Sequence, residues 1–276
     1  MDDFAGKVAV ITGAASGIGR ALALDFARRG MRIVAADIEE APLADLAFQL
    51  TELGAECLQH PTDVSRLESV QALAAAAFER FGAVHVLCNN AGVTTGGVPL
   101  VKVKHQDWLW VLGVNLWGVV HGLEAFLPRM VEENAPGHIV NTASILGQAV
   151  LWANTGPYVA SKYAVVGLSE TLALELKDTP IGVTVLCPGT VDTHIYEAER
   201  NRPEAYRVDR QPQDLRTRMK AVSPVWAEAG DVSARVLRAM EEGSLYVFTD
   251  PENTKGIEER FERLRRDFDT ARPVEK

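Results

Sequence analysis

A tyrosine and a lysine that could act together in proton transfer stand at the start of a predicted helix. Tyr158 and Lys162 are four residues apart in the segment GPYVASKYA, and this spacing places both side chains on one helix face. A free tyrosine has a pKa of about 10, which is too high for a base near neutral pH. A neighbouring ammonium group favours the phenolate and lowers that pKa, so the pair is suited to acid–base chemistry at an oxygen atom.

A serine is predicted to complete this group. Ser144 stands at the carboxyl end of a predicted strand, fourteen residues before Tyr158. A hydroxyl at that place could hold a substrate oxygen on which negative charge develops. A Tyr–Lys pair at helical spacing is common for structural reasons alone, and the strand-end serine favours the catalytic interpretation.

A glycine-rich turn, TGAASGIGR over residues 12–20, separates the first predicted strand from the first predicted helix. Glycine permits a tight turn and lets the backbone approach a pyrophosphate, and a helix N-terminus favours anions. Glycine also serves any sharp strand-to-helix turn, but the position after the first strand favours a dinucleotide site.

An acidic residue follows at the spacing that such a site requires. Asp37 ends the second predicted strand, 18 residues after Gly19, where a carboxylate accepts hydrogen bonds from the adenosine ribose. A 2′-phosphate there would meet Asp37 with Glu39 and Glu40 close behind, and Ile38 is not followed by an arginine. Because like charges repel, we expect NAD rather than NADP. The alternative is that Asp37 only caps the next helix.

The elements that must position these residues alternate along the chain. Near-continuous apolar runs predict strands that are buried on both faces of a parallel sheet. The alternating order predicts an α/β fold, a Rossmann-like doubly wound sheet of about seven parallel strands with helices on both faces. The predicted strands are residues 7–12, 31–37, 55–61, 84–89, 138–144, 183–188 and 245–249, and the predicted helices are residues 19–29, 42–53, 66–81, 106–133, 157–176, 231–242 and 256–268.

One segment breaks this alternation. Residues 1–276 contain no recognisable linker and predict a single domain, but residues 191–224 are irregular and rich in Arg, Glu and Pro. Long irregular insertions are usually functional, and ligands bind at the carboxyl ends of parallel strands, so this segment predicts a substrate lid. Four of its arginines could contact an anionic substrate or form a solvated face; they are Arg200, Arg202, Arg207 and Arg210.

Composition narrows the functional class. The chain has 276 residues, of which 47% are hydrophobic and 24% charged, with a net charge of −9. These values are typical of a globular enzyme and argue against nucleic acid or an anionic membrane as partner. The acidic start and the absence of a long apolar run predict neither a targeting segment nor a membrane span. Cys57, Cys88 and Cys187 lack metal-ligand spacing, which predicts reduced thiols in a cytoplasmic protein without a metal site.

Over residues 7–249 the sequence resembles the compact, single-domain branch of the short-chain dehydrogenase/reductase family. The shared features are the glycine-rich turn, an adenine-binding pair, a motif after the fourth strand, a helix asparagine and a Pro-Gly pair after the sixth strand. They stand at Thr12, Gly13, Gly17 and Gly19; Asp63 and Val64; Asn89, Asn90, Ala91 and Gly92; Asn115; and Pro188 and Gly189. With Ser144, Tyr158 and Lys162, no catalytic position departs from the family's pattern.

The resemblance implies an NAD-dependent oxidoreductase that interconverts a secondary alcohol and a ketone. Its catalytic tetrad would be Asn115, Ser144, Tyr158 and Lys162. Tyr158 would be the general acid or base, Ser144 would polarise the substrate oxygen, and Lys162 would bind the nicotinamide ribose. Asn115 would hold a water in a proton relay. The family also pairs its fourth and fifth helices, here residues 106–133 and 157–176, in homodimers or homotetramers.

The cofactor contacts follow from the turn argument and the resemblance together. The residues expected to contact NAD are Gly13, Ser16, Gly17, Ile18, Gly19, Asp37, Ile38, Asp63, Val64, Asn90, Ala91, Gly92, Tyr158, Lys162, Pro188, Gly189, Val191 and Thr193.

The substrate pocket is expected to be apolar with aromatic walls. Ile145, Leu151 and Trp152 follow the catalytic serine, and the lid contributes Tyr196. Such a pocket suits a bulky hydrophobic or aromatic alcohol. Leu151 and Trp152 could instead pack under the lid or at a subunit contact. The lid sequence also resembles that of bacterial family members that oxidise benzylic alcohols of lignin-derived aryl ethers.

Two other functional classes are alternatives. Epimerases and dehydratases of nucleotide sugars resemble this fold but normally carry Gly-x-x-Gly-x-x-Gly in the first turn and a larger C-terminal substrate domain, and neither is found here. Non-catalytic NAD-sensing relatives usually lose the tyrosine or the lysine, and this chain keeps both.

Overall fold

The computed structural model describes residues 1, 3–211, 213–223, 225–251 and 254–271. Within these residues the chain forms a parallel sheet of seven strands in the order β3-β2-β1-β4-β5-β6-β7. This confirms the predicted doubly wound parallel sheet. The strands are β1 (Val8–Thr12), β2 (Arg32–Asp37), β3 (Cys57–Pro61), β4 (Val86–Asn89), β5 (Gly137–Thr142), β6 (Ile181–Cys187) and β7 (Tyr246–Phe248).

The central strands are buried, which explains their apolar sequences. Every residue of β1, β4 and β5 is buried, as expected for strands covered on both faces. The edge strand β7 buries only Val247 of its three residues, and it is shorter than the predicted strand 245–249.

Helices cover both faces of the sheet. The described helices are α1 (Gly17–Arg28), α2 (Glu40–Glu52), α3 (Leu67–Phe81), α4 (His105–Leu112), α5 (Gly118–Glu133), α6 (Gly156–Glu175), α7 (Leu215–Val222), α8 (Ala229–Glu242) and α9 (Thr254–Thr270). Leu22 of α1 and Val236 of α8 belong to one apolar core. Leu73 of α3 and Phe126 of α5 belong to a second. The two cores lie on opposite faces because successive side chains of a strand alternate between them.

The predicted helix 106–133 is interrupted. A π-helical turn over Gly113–Trp117 separates α4 from α5. Such turns contain an extra residue and are frequent at functional sites. Here the turn carries Asn115, which is fully buried.

The run of helix over His105–Glu133 is, by length and composition alone, apolar enough to cross a membrane, with a mean hydropathy of 1.3. From the sequence we expected no such stretch. Val119, Phe126 and Met130 of this run are buried in the cores of the protein. Packing in the protein core therefore also explains why this run of helix is apolar.

The segment predicted as a lid has structure of its own. It contains two 3-10 helices, His194–Asn201 and Glu204–Tyr206, followed by α7. Pro212 and Pro224, which the predicted segment includes, lie outside the described residues.

Candidate active site

A cleft of about 390 Å³ lies at the carboxyl ends of the parallel strands, which is where open α/β sheets bind ligands. Its walls include the turn after β1, the ends of β2, β4 and β5, and the segment after β6. Every residue expected to contact the cofactor lines this cleft except Gly19.

The glycine-rich turn forms a cradle that side chains would fill. Gly13 has a φ of +66°, and a Cβ added there would lie 2.8 Å from the Cα of Ala91. A Cβ on Gly19 would lie 2.1 Å from the carbonyl oxygen of Gly13. Gly19 therefore lets α1 pack closely against the turn. It does not line the cleft, and its contact with the cofactor stays a prediction.

Asp37 joins the end of β2 to this turn. Its carboxylate accepts hydrogen bonds from the backbone N–H of Ala15 at 2.9 Å and of Glu39 at 3.0 Å. Burial raises the pKa of Asp37, while the N–H groups of Glu39 and Ala15 act in the opposite direction. The bond to Glu39 closes a turn before α2, but the N-cap of α2 is Glu39 and no side chain caps this helix, so the capping alternative is wrong. Asp37 also lines the cleft, where a carboxylate can accept further hydrogen bonds from ribose hydroxyls.

The motif after β4 connects three strands. The side-chain amide of Asn90 donates to the carbonyl of Thr12 at 3.0 Å, and its backbone N–H donates to the Thr12 hydroxyl at 2.9 Å. The hydroxyl of Thr142 donates to the Asn90 side chain at 3.2 Å. These bonds hold the ends of β1, β4 and β5 in register at the cleft floor.

The proposed adenine-binding pair follows β3. The carboxylate of Asp63 accepts hydrogen bonds from the hydroxyl of Ser65 at 2.6 Å and from its N–H at 3.0 Å. Val64 is buried and lines the cleft beside it. These features together fit a nicotinamide dinucleotide: the glycine cradle, the N-terminus of the helix after it, and the carboxylate at the end of β2.

Ser144, Tyr158 and Lys162 converge on the same cleft. Ser144 follows β5, while Tyr158 and Lys162 stand in the first turns of α6. The Lys162 ammonium donates to the carbonyl oxygen of Thr142 at 2.8 Å and lies 5.5 Å from the centre of the Tyr158 ring. The structure thus brings together the three side chains whose types suggested acid–base chemistry.

The electrostatics of this group differ from our expectation. Burial raises the pKa of Tyr158 to about 12, and only the hydrogen bond with Ser144 acts in the opposite direction. Burial lowers the pKa of Lys162 to about 8. We expected Lys162 to lower the pKa of Tyr158, but desolvation raises this pKa and Ser144, not Lys162, is the group that opposes the rise. The phenol is therefore protonated at neutral pH.

Asn115 lies behind the cleft wall. Its side-chain oxygen accepts from the N–H of Val93 at 2.8 Å, and its amide donates to the Val93 carbonyl and to the Ser161 hydroxyl, both at 3.0 Å. The Ser161 hydroxyl in turn donates to the carbonyl of Tyr158 at 2.7 Å. Asn115 therefore connects the segment after β4 to the first turn of α6. Its part in a proton relay stays a prediction.

Three of the four expected substrate residues line the cleft, and one does not. Ile145, Trp152 and Tyr196 line the cleft. Leu151 does not: its side chain packs on α9, where a Cβ on Gly256 would lie 2.3 Å from Leu151 Cδ2. Leu151 and Trp152 are neighbours in an irregular loop, but Leu151 contacts α9 whereas Trp152 lines the cleft.

Two further elements contribute to the substrate half of the cleft. Trp110 comes from α4, and α7 contributes Leu215, Arg218 and Met219. Arg218 bonds to the side chain of Gln213 and pairs with no carboxylate among the described residues. The sequence signal was the amphipathic pattern of residues 215–222 inside the irregular segment, which we had not assigned to a helix.

Arg202 and Arg210 of the lid are not part of a solvated face. Arg202 has only 2% of its side chain exposed and pairs with the fully buried Asp107 at 2.7 Å. Arg210 pairs with the other oxygen of Asp107 at 2.5 Å. The Arg202 guanidinium also lies 4.3 Å from the centre of the Trp110 ring. Both arginines attach the lid to α4.

The other two arginines of the predicted set, Arg200 and Arg207, also have carboxylate partners. Arg200 pairs with Glu39 at 2.5 Å and lines the cleft. Arg207 pairs with Glu204 at 2.9 Å on the exposed side of the lid. Only Arg207 matches the expected solvated face.

Known proteins share this architecture. The family model of the short chain dehydrogenases matches residues 7–204. A short-chain dehydrogenase/reductase from Burkholderia phymatum, solved in complex with NAD, has a TM-score of 0.91 and 43% identity, covering 100% of this chain and 99% of that chain.

Two curated relatives are also similar. A 1-deoxy-11-beta-hydroxypentalenate dehydrogenase from Streptomyces avermitilis is 43% identical over 188 residues, which are 68% of this chain and 69% of that protein. A C alpha-dehydrogenase from Sphingobium is 33% identical over 278 residues, covering 100% of this chain and 90% of that protein. The motifs, the strand order and these similarities agree: the chain belongs to the short-chain dehydrogenase/reductase family of oxidoreductases.

Proposed function

We propose that this protein is an NAD-dependent dehydrogenase that interconverts a bulky hydrophobic or aromatic secondary alcohol and its ketone. The observation that carries the proposal is the meeting of Ser144, Tyr158 and Lys162 in one cleft. At one end of that cleft lie the glycine cradle and Asp37, and at the other lie aromatic side chains. The acid–base group is therefore adjacent to both a dinucleotide site and an apolar pocket.

The residues around the reacting oxygen have separate tasks. The bound nicotinamide would supply a hydride to the carbonyl carbon, or accept one from the alcohol. The Ser144 hydroxyl holds the substrate oxygen, and the protonated Tyr158 gives that oxygen its proton during reduction. The Lys162 ammonium, fixed by the Thr142 carbonyl, stabilises the phenolate that remains. Oxidation is the reverse: Tyr158 first loses its proton to solvent, and the phenolate then takes the proton of the alcohol.

Asp37 and Glu39 support NAD as the cofactor. Both carboxylates line the cleft at the end of β2, where a 2′-phosphate would add negative charge. The similar Burkholderia protein was solved with NAD. The names of the two relatives describe dehydrogenases, one of them acting on a hydroxylated compound, which supports a hydroxyl group as the site of reaction.

We also propose a cytoplasmic homodimer or homotetramer. Leu109 and Trp117 are large exposed residues on the run of helix over His105–Glu133, and pairing of two such helices would cover them. The three cysteines are free, which fits a reducing compartment. Sedimentation velocity of Trp117→Glu tests the assembly, because a charge at a paired helix face should dissociate it.

Turnover and cofactor binding test the catalytic proposal. Formation of reduced nicotinamide is followed with aliphatic, benzylic, aryl-ether and steroid alcohols, with NAD and NADP in parallel. Tyr158→Phe should abolish turnover but still bind NADH, as measured by fluorescence. Tyr163→Phe is the matched control, because it removes a hydroxyl one residue beyond Lys162. Turnover retained in Tyr158→Phe would sink the assigned role of this residue.

A further inference from the structure

The lid reaches the end of the cleft where the adenosine ribose would bind. Thr193 packs on the glycine-rich turn, where a Cβ on Gly17 would lie 2.8 Å from Thr193 Cγ2. A few residues further on, Arg200 crosses to the end of β2 and pairs with Glu39. Both residues of this pair line the cleft beside Asp37.

The Arg200–Glu39 pair is bidentate. Arg200 Nε donates to Glu39 Oε1 at 3.0 Å, and Nη2 donates to Oε2 at 2.5 Å. Arg200 Nη1 donates to the carbonyls of His194 at 2.9 Å and Glu197 at 3.1 Å. The guanidinium is thus held by the lid on one edge and by Glu39 on the other. This geometry is the one that guanidinium groups use to bind phosphates.

The charge balance explains the importance of Glu39. A lid arginine beside the ribose would favour a 2′-phosphate if its fork were free. Glu39 occupies that fork and cancels its charge, so a 2′-phosphate would meet Asp37 without a compensating cation from Arg200. The hydrogen bond from Arg200 also lowers the pKa of Glu39, which keeps Glu39 charged across the neutral range.

We propose that Glu39 is a second determinant of cofactor specificity, acting with Asp37: it occupies the lid residue Arg200 in a bidentate ion pair and so withholds this cation from a 2′-phosphate. The inference rests on the proposed preference for NAD and names a further residue that produces it. It also explains how a chain with an arginine at the adenosine end can still exclude NADP.

Binding of two small probes tests the proposal without turnover. Adenosine 2′,5′-bisphosphate carries the 2′-phosphate, and adenosine 5′-monophosphate lacks it. Titration calorimetry gives the ratio of their affinities for each variant, so a general loss of binding cancels. Asp37→Asn should improve the ratio for the bisphosphate, because it removes the nearest repulsion. Adding Glu39→Gln should improve it by about a further tenfold, since Arg200 becomes free to bind the phosphate.

Arg200 supplies the decisive comparison. Adding Arg200→Met to the Asp37→Asn, Glu39→Gln background should remove the second gain. Arg207→Met in the same background should keep it, because Arg207 is a lid cation outside the cleft. If the gain survives Arg200→Met, it comes only from lost repulsion and the inference is overturned. If the unaltered protein already binds the bisphosphate more tightly, the proposed NAD preference fails as well. Both Arg200 and Glu39 are partly exposed, so these variants should fold.

Discussion

The buried Asp107 is expected to hold the lid on the body of the protein, and Asp107→Asn tests this. Its carboxylate is fully buried and receives Arg202, whose side chain is 2% exposed, and Arg210, which is 20% exposed. Removing one partner of a buried ion pair costs about 3 to 5 kcal/mol, because the other charge stays buried without compensation. Arg202 keeps a second carboxylate partner, Glu199 at 3.0 Å, and water reaches Arg210, so we expect the lower value, about 3 kcal/mol.

Thermal unfolding measures this cost. In a large domain each 1 kcal/mol lowers the melting temperature by about 2 °C or more, which predicts a fall of about 6 °C. Asp45→Asn is the matched control: it breaks the Arg20 pair at 2.5 Å, in which Asp45 has 60% of its side chain exposed. An exposed pair of this kind contributes at most about 1 kcal/mol.

The pH dependence gives a second measurement. Burial opposes ionisation of Asp107, but hydrogen bonds from Arg210, the Lys104 N–H and Arg202 together lower its pKa. A depressed folded-state pKa contributes stability above the unfolded value of 3.8, and this contribution is lost as the pH falls through the folded value. The difference between the unaltered protein and Asp107→Asn should therefore shrink below about pH 4.

Two results would refute this reasoning. One is a melting temperature of Asp107→Asn equal to that of the control, with the lid no more sensitive to a protease. The other is a failure of Asp107→Asn, Arg202→Gln to recover part of the loss. The double variant removes the more deeply buried of the two guanidinium charges that Asp107→Asn leaves without this carboxylate, so it should be more stable than Asp107→Asn alone.

Three further outcomes are expected. Burial lowers the pKa of Lys162 from 10.5 to about 8, so between these pH values the unfolded state binds more protons than the folded state. The free energy of unfolding of the unaltered protein should therefore increase by about 3 kcal/mol relative to that of Lys162→Met as the pH rises from 8 to 10.5, as measured by denaturant unfolding. Trp152→Ala should raise KM for aromatic alcohols, whereas Leu151→Ala should lower the melting temperature and leave KM unchanged; equal KM values in both variants would contradict their placement. Arg218→Met should lower kcat/KM for hydroxy acids more than for their methyl esters, while Lys220→Met should not distinguish them; an equal loss for acid and ester would rule out a charge contact by Arg218.

Much of the fold and of the central site could be predicted because the signals are local. The β1 turn and Asp37 each lie at the carboxyl end of an apolar strand, and parallel strands bring their carboxyl ends to one edge. The same rule brought Ser144 to the helix that carries Tyr158 and Lys162. No long-range contact had to be known to place these residues in one cleft.

The rest depended on contacts between distant residues. Arg202 and Asp107 are 95 positions apart, so the sequence of the lid alone indicated a solvated arginine. The direction of Leu151 depended on α9, which packs beside the loop only in the folded chain. The pKa of Tyr158 could not be predicted from its spacing to Lys162 along the helix, because it depends on how deeply the phenol is buried.

The contacts that hold the lid differ in strength from one end of the lid to the other, and this difference predicts which end opens first. The Asp107 cluster is buried on the α4 side, where removal of one charge is costly. The Arg200–Glu39 pair is bidentate but partly exposed, so solvent screens it and it contributes less stability than the buried Asp107 cluster. Opening should therefore begin at the adenosine end, while the α4 end stays attached. A cofactor could then leave without disturbing Trp110 and the substrate wall, which would allow the two ligands of the cleft to exchange separately.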